Sequence, residues 1–141
     1  MGAKVIDLLE IYTKQIRCIL EFAAPAWQGS KTQAERVALE RVQKSAFHII
    51  LGEKYLSYEN ALETLGLESL ESRRKKLSLK FALKASKHSK FKSWFKVNES
   101  KNLNTRQEKS MFCEVRANHS RFEKSAISYL TKLLNEYYKK T

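Results

Sequence analysis

One aspartate, Asp7, occurs in the whole 141-residue chain. Metal-dependent phosphoryl chemistry rests on carboxylates that hold two cations together, so that class lacks its usual ligands here. The glutamates stand singly on predicted helix faces. Only four glycines are present, none forms a phosphate-cradling loop, and no Ser/His/Asp set stands in a motif context. Cys18 and Cys113 are far apart, no Cys-x-x-Cys pair occurs, and His48, His88 and His119 do not cluster with either thiol. This argues against a zinc site or a disulfide framework, and for two free thiols in a reducing compartment. No apolar run reaches the roughly 18 residues of a bilayer span, and Asp7 and Glu10 interrupt the N-terminal apolar residues that a signal peptide would keep continuous. The expectation is an intracellular chain, nuclear or cytoplasmic, with no catalytic residues, no metal, no cofactor and no membrane partner.

Leu, Lys, Glu and Ala are abundant and proline occurs once, a composition that favours helix. A chain of this length buries about two thirds of its unfolded surface, enough for a core. The net charge of +12 is unevenly spread. Residues 1–60 carry eight Lys/Arg against seven Asp/Glu, whereas residues 61–141 carry nineteen against eight. A positive field confined to one half suits a polyanion, RNA or DNA ahead of an anionic membrane. A plain solvated surface is the competing reading.

Helical periodicity begins at about Val5 and runs to Ala23. Ile6, Leu9, Ile16 and Leu20 form one apolar stripe, and Val5, Leu8, Tyr12, Ile19 and Phe22 a second beside it. So broad an apolar surface predicts a central helix, or one that presents a contact face to a missing partner. Pro25 is expected to stop it, with Trp27 as a plug at the corner between the first two helices. Ser30 with Gln33 has the form of a capping box for a second helix, which continues to Leu51 and ends at Gly52. Ala38, Leu39, Val42, Ala46, Ile49 and Ile50 share about 120° of its circumference. A short third helix follows, capped by Ser57, with Ala61, Leu62 and Leu65 inward and Gly66 as its stop.

The fourth predicted helix, Leu70 to Lys87, carries a pattern with chemical meaning. Arg73, Lys76, Lys80, Lys84 and Lys87 fall within roughly 80° of arc, with Leu70, Leu77, Phe81 and Ala85 on a neighbouring arc. Lysines so placed repel one another by a few tenths of a kcal/mol per pair, which a phosphate backbone along the helix relieves. Five such contacts correspond to a salt slope on the order of −4. The bland reading is a solvated helix face. Downstream, Phe91, Lys92, Ser93, Trp94, Phe95 and Lys96 interleave aromatics with cations. That pattern serves base stacking with Lys92 and Lys96 on phosphates, or a hydrophobic closure beneath the helix.

Residues 97–110 are polar and aperiodic and are predicted to be a flexible connector. Met111 to Val115 predicts a short strand that needs a partner. Ser125 is placed to cap a last helix with Ile127, Leu130, Leu133, Leu134 and Tyr137 inward. The expected architecture is mostly α, a bundle of about four to five helices over residues 1–96, followed by an irregular extension and terminal helix over 97–141.

Four ordered blocks carry a resemblance. Tyr12, Ile16, Arg17, Leu20, Glu21, Phe22, Ala23, Pro25 and Trp27 form the first, and Leu39, Glu40, Val42, Gln43, Lys44, Ala46, Ile49, Ile50 and Gly52 the second. Tyr58, Ala61, Leu62, Leu65, Gly66, Leu67, Leu70, Arg73 and Arg74 form the third. The fourth runs from Asn104-Thr105-Arg106 through Cys113, Glu114, Ala117, Arg121, Ser125, Ile127, Tyr129 and Leu130 to Leu133, Leu134 and Asn135. Together they resemble the region after the polymerase core in reverse transcriptases of LINE-type (non-long-terminal-repeat) retrotransposons. Ala126 departs from that pattern, which often has proline there. The resemblance implies a thumb-like region whose helices grip an RNA template and its duplex. The catalytic palm, with its Tyr-x-Asp-Asp-like turn, has no counterpart in this sequence. The expected function is non-catalytic, nonspecific binding of RNA or an RNA–DNA duplex. Arg73, Arg74, Lys76, Lys80, Lys84 and Lys87 would carry it, with Lys92, Trp94 and Lys96 adding weaker contacts. The alternative is a structural fragment that packs on an absent palm or self-associates.

Overall fold

A computed structural model describes residues 3–98, 110–114 and 120–140. Most of the predicted connector, Val115, and the motif positions Asn104, Thr105, Arg106 and Ala117 lie outside the described residues. The chain is mostly helical. Its elements are α1 (Val5–Ile11), a π-helical segment (Tyr12–Ile16), α2 (Arg17–Glu21), α3 (Ala24–Trp27), α4 (Gln33–Leu51), α5 (Tyr58–Leu65), α6 (Leu70–Lys87), α7 (Ser120–Glu123) and α8 (Ala126–Lys140). Short 3-10 turns cover Gln28–Ser30, Gly52–Lys54 and Lys92–Trp94. The described residues fall into two compact units, the first from Met1–Ala23 and Lys31–Arg74, the second from Ala24–Ser30 and Lys75–Thr141. This is not the division expected at Lys96. Phe95 shares a core with Phe112 and Leu130, so the residues on either side of position 97 belong together.

In the first unit, α1, the π segment and α2 make one helical run that ends at Glu21, two residues before the expected Ala23. Phe22 leaves helical geometry and Ala23 has a positive φ of 50°. The π segment was not foreseen. The Thr13 hydroxyl donates to the carbonyls of Leu9 and Glu10, at 2.9 and 3.1 Å. Such back-bonding competes with the amide ladder, and the Arg17 amide reaches the Tyr12 carbonyl instead. The true N-cap of α4 is Thr32, not Ser30. The Thr32 hydroxyl accepts from the Glu35 amide while the Glu35 carboxylate accepts from the Thr32 amide, a closed capping box. Ser30 instead donates to the Trp27 carbonyl at 2.8 Å.

The core of this unit gathers Tyr12, Phe47, Ile50, Leu51 and Ala61, with Leu8, Leu62 and Leu65 against it. The buried face of α4 is therefore rotated from the expected one. Gln43 and Phe47 point inward, while Val42 and Ile49 are exposed. Ile6, Ile19 and Phe22 of the first helical run also remain exposed. At α5, Ser57 caps the helix through the Asn60 amide, and Gly66 closes it in the left-handed region, as predicted.

In the second unit the corner Ala24–Ser30, which holds Trp27, packs on α8. The first helical run ends ahead of Pro25, which itself stands in the first turn of α3, where its missing donor is harmless. A Cβ on Gly29 would stand 2.5 Å from the Cβ of Tyr129, so only glycine allows this approach. Ala82 and Ala85 of α6 pack with Leu130, Leu133 and Leu134 of α8 and with Phe95 and Phe112. Phe81 lies exposed outside this core, contrary to its expected arc, because the small residues at 78, 82 and 85 form the buried stripe. Tyr137 is likewise exposed, and Tyr138 packs on the core in its place. The strand expected at Met111 reduces to one antiparallel bridge between Phe112 and Val97. Asn135 completes it, accepting from the Phe112 amide at 2.9 Å and donating to the Phe112 carbonyl at 3.1 Å.

Candidate nucleic-acid interface

The nine predicted contact residues separate into two groups. Arg73 and Arg74 belong to the first unit, and the other seven to the second. Arg73 is engaged by a carboxylate. Its Nε and Nη2 both donate to Glu21, the second at 3.1 Å, and this bonding raises the arginine above its usual range. Arg74 is 0% exposed. Burial lowers its guanidinium from the usual arginine range, against the opposing pull of Glu40, Glu71 and Glu21. Arg74 is buried and the partly exposed Arg73 is already committed to Glu21, so both are withdrawn from the candidate interface. A helical wheel places Arg73 among the lysines, but Glu21, 52 residues away, is visible only once the chain has folded.

Several other motif residues meet in the same polar interior. The Tyr12 hydroxyl donates to Gln43 at 2.7 Å, and Gln43 donates in turn to the Glu68 carbonyl at 3.1 Å. Glu40 accepts from the Tyr58 hydroxyl and from the Leu70 amide. Burial, followed by Glu40, pushes the Tyr58 hydroxyl well above its ordinary value, and burial does the same to Tyr12. Both therefore stay protonated donors. These hydrogen bonds pair the buried hydroxyls and the amide with acceptors, which is a folding role, while Glu40 Oε2 is buried without a hydrogen-bond partner among the described residues.

Lys76, Lys80, Lys84 and Lys87 stay together. With Leu79 and Leu83 they line one groove along α6. The two leucines were not predicted as part of the site, although their spacing beside the lysines was readable. Such a groove offers apolar contact for lysine stems and leaves the ammonium groups at the water. Among the described residues no carboxylate pairs with Lys80, Lys84 or Lys87. Lys75, by contrast, turns away to bond Glu136 at 3.1 Å.

Beyond the helix, Lys92 and Lys96 are exposed and Trp94 is 40% exposed. Phe95 is buried, so the two readings of this segment divide between neighbours: Phe95 closes the core and Trp94 faces outward. The units differ sharply in charge. Counted along the sequence ranges of the two units, the first holds ten Lys/Arg and ten Asp/Glu and the second seventeen and five, with Glu99, Lys101, Arg106, Glu108, Lys109 and Arg116 of the second outside the described residues.

Among the described residues no group of three His, Cys, Asp or Glu side chains is placed to hold a metal ion, and no helix is long and apolar enough to cross a membrane. Comparison with known proteins finds no matching family model, no matching curated protein and no matching solved structure.

Proposed function

We propose that this chain is a non-catalytic, thumb-like piece of a LINE-type retrotransposon reverse transcriptase that binds RNA or an RNA–DNA duplex without sequence preference. The family assignment rests on the four ordered motif blocks. The binding reading rests on one observation, four lysines lining a single groove of α6 in a unit whose sequence ranges hold all of the net charge. Lysines at three- and four-residue spacing on one face repel each other, and a row of phosphates offsets that repulsion while releasing counterions. Lys92 and Lys96 extend the same unit's cationic surface, whereas Arg73 and Arg74 serve its neighbour's interior. Filter binding of RNA at stepped salt concentrations tests the proposal. Affinity should fall steeply as salt rises and be lost on replacing the four lysines by glutamine. Undetectable binding at low salt sinks it.

A second reading rests on the exposed apolar groove of the first unit, lined by Leu8, Ile11, Ile16, Val42, Ala46 and Ile49. It makes the chain a structural fragment that associates through this face with an absent palm or with its own copies. Light scattering separates the two readings, since a monodisperse monomer at high concentration removes self-association.

A further inference from the structure

We propose that the turn after α6 is a base-stacking step, so that the polymer held on the lysine groove is single-stranded where it passes Trp94. The inference rests on the nucleic-acid reading above and narrows its ligand class. Three rings follow one another there. The His88 and Phe91 centroids are 5.3 Å apart, and those of Phe91 and Trp94 are 4.8 Å apart. The series begins directly after Lys87, the last residue of the helix and the last lysine of the groove.

Successive backbone bonds hold the turn. The amides of Phe91 and Lys92 donate to the His88 carbonyl at 3.0 and 2.9 Å, and the Trp94 amide donates to Phe91 at 3.0 Å. The His88 Nδ1 accepts from the Lys90 amide at 3.2 Å, which fixes its ring as well. Phe95 is 3% exposed and pins the segment to the core, with its ring 6.2 Å from Phe112. A tryptophan whose backbone is tied down and whose neighbour is anchored loses little further freedom on binding. A tryptophan left 40% exposed in that position, beside the exposed cations Lys90 and Lys92, fits an unpaired base with its phosphates. A duplex keeps its bases inside the stack and has only its backbone to offer.

The test compares the full-length chain with Trp94→Leu and Trp94→Phe, each binding an oligouridylate, a duplex of equal length, and heparin as a base-free polyanion. Trp94→Leu should weaken oligouridylate binding on the order of tenfold, Trp94→Phe should restore most of it, and duplex and heparin should bind all three proteins alike. Tryptophan emission of the unmodified chain should be quenched more by oligouridylate than by heparin. Equal losses of Trp94→Leu on all three ligands, no loss on any, or equal quenching overturns the stacking step. The lysine groove survives that result if heparin and duplex binding remain salt-dependent. It fails separately if no polyanion binds.

Discussion

Gly29 is where a single hydrogen atom decides a packing. The corner Ala24–Ser30 approaches α8 so closely that a Cβ at this position would overlap Tyr129 at 2.5 Å. That contact is with the first carbon of a side chain on a helix, which cannot swing aside. Gly29→Ala should therefore destabilise the protein by about 1–3 kcal/mol, read as a lower urea midpoint with an unchanged slope. An unaltered midpoint would mean that the corner does not dock as described. Arg73 allows a prediction of another kind. Because its guanidinium is held by Glu21, Arg73→Gln should cost about 1–3 kcal/mol of stability and leave the affinity for RNA as it was. A loss of affinity at unchanged stability would return Arg73 to the binding surface. Tyr12, Gln43, Glu40, Glu21 and Arg73 are all residues on which the family resemblance was founded, and their partners show that they build the interior of the first unit.

Among the elements, the start of α4 shows how two adjacent polar signals compete. Ser30 and Gln33 have the right types and spacing for a capping box, and so do Thr32 and Glu35. Only the second pair is closed, because Ser30 already belongs to the turn at Gln28–Ser30. Thr32→Ala should thus destabilise by about 0.5–2 kcal/mol, while Ser30→Ala should leave the helix intact, as circular dichroism during thermal melting would report. The bonds from the Thr32 backbone and hydroxyl also lower the Glu35 carboxyl below its ordinary value of 4.5. A depressed carboxyl stabilises the fold above its unfolded pKa, and that contribution is lost as pH falls through the folded one. The acid side of the stability curve should accordingly flatten in Glu35→Gln. Helix α6 illustrates a division of labour along one element. Leu70 and Arg74 are buried in the first unit, and the lysines from Lys76 onward line a groove of the second. A helical wheel, which projects every turn onto one circle, merges these two environments.

For the whole molecule the governing quantity is charge and where it is held. A neutral first unit and a second unit with seventeen basic against five acidic residues predict salt-sensitive binding confined to the second. With Lys76, Lys80, Lys84 and Lys87 as the phosphate contacts, the slope of log affinity against log salt should be about −3 to −4, and replacing all four by glutamine should remove about that amount. A slope that survives the replacement would move the interface elsewhere. Helix content, the Ser57 cap, the Gly66 stop, the extent of α6 and the lysine face were all legible beforehand, because they depend on neighbours within a few residues. The exposure of Val42 and Ile49, the docking of Trp27's segment on α8 and the pairing of Arg73 with Glu21 were not legible, because each depends on a distant segment. From the chain's residue order alone come its helical character, its cationic half and its lack of paired aspartates, all of which follow from composition and local spacing. The folded arrangement alone decides which cations face water. Whether a guanidinium meets a carboxylate 52 positions away or stays in solvent is a matter of long-range packing, and no local pattern encodes it.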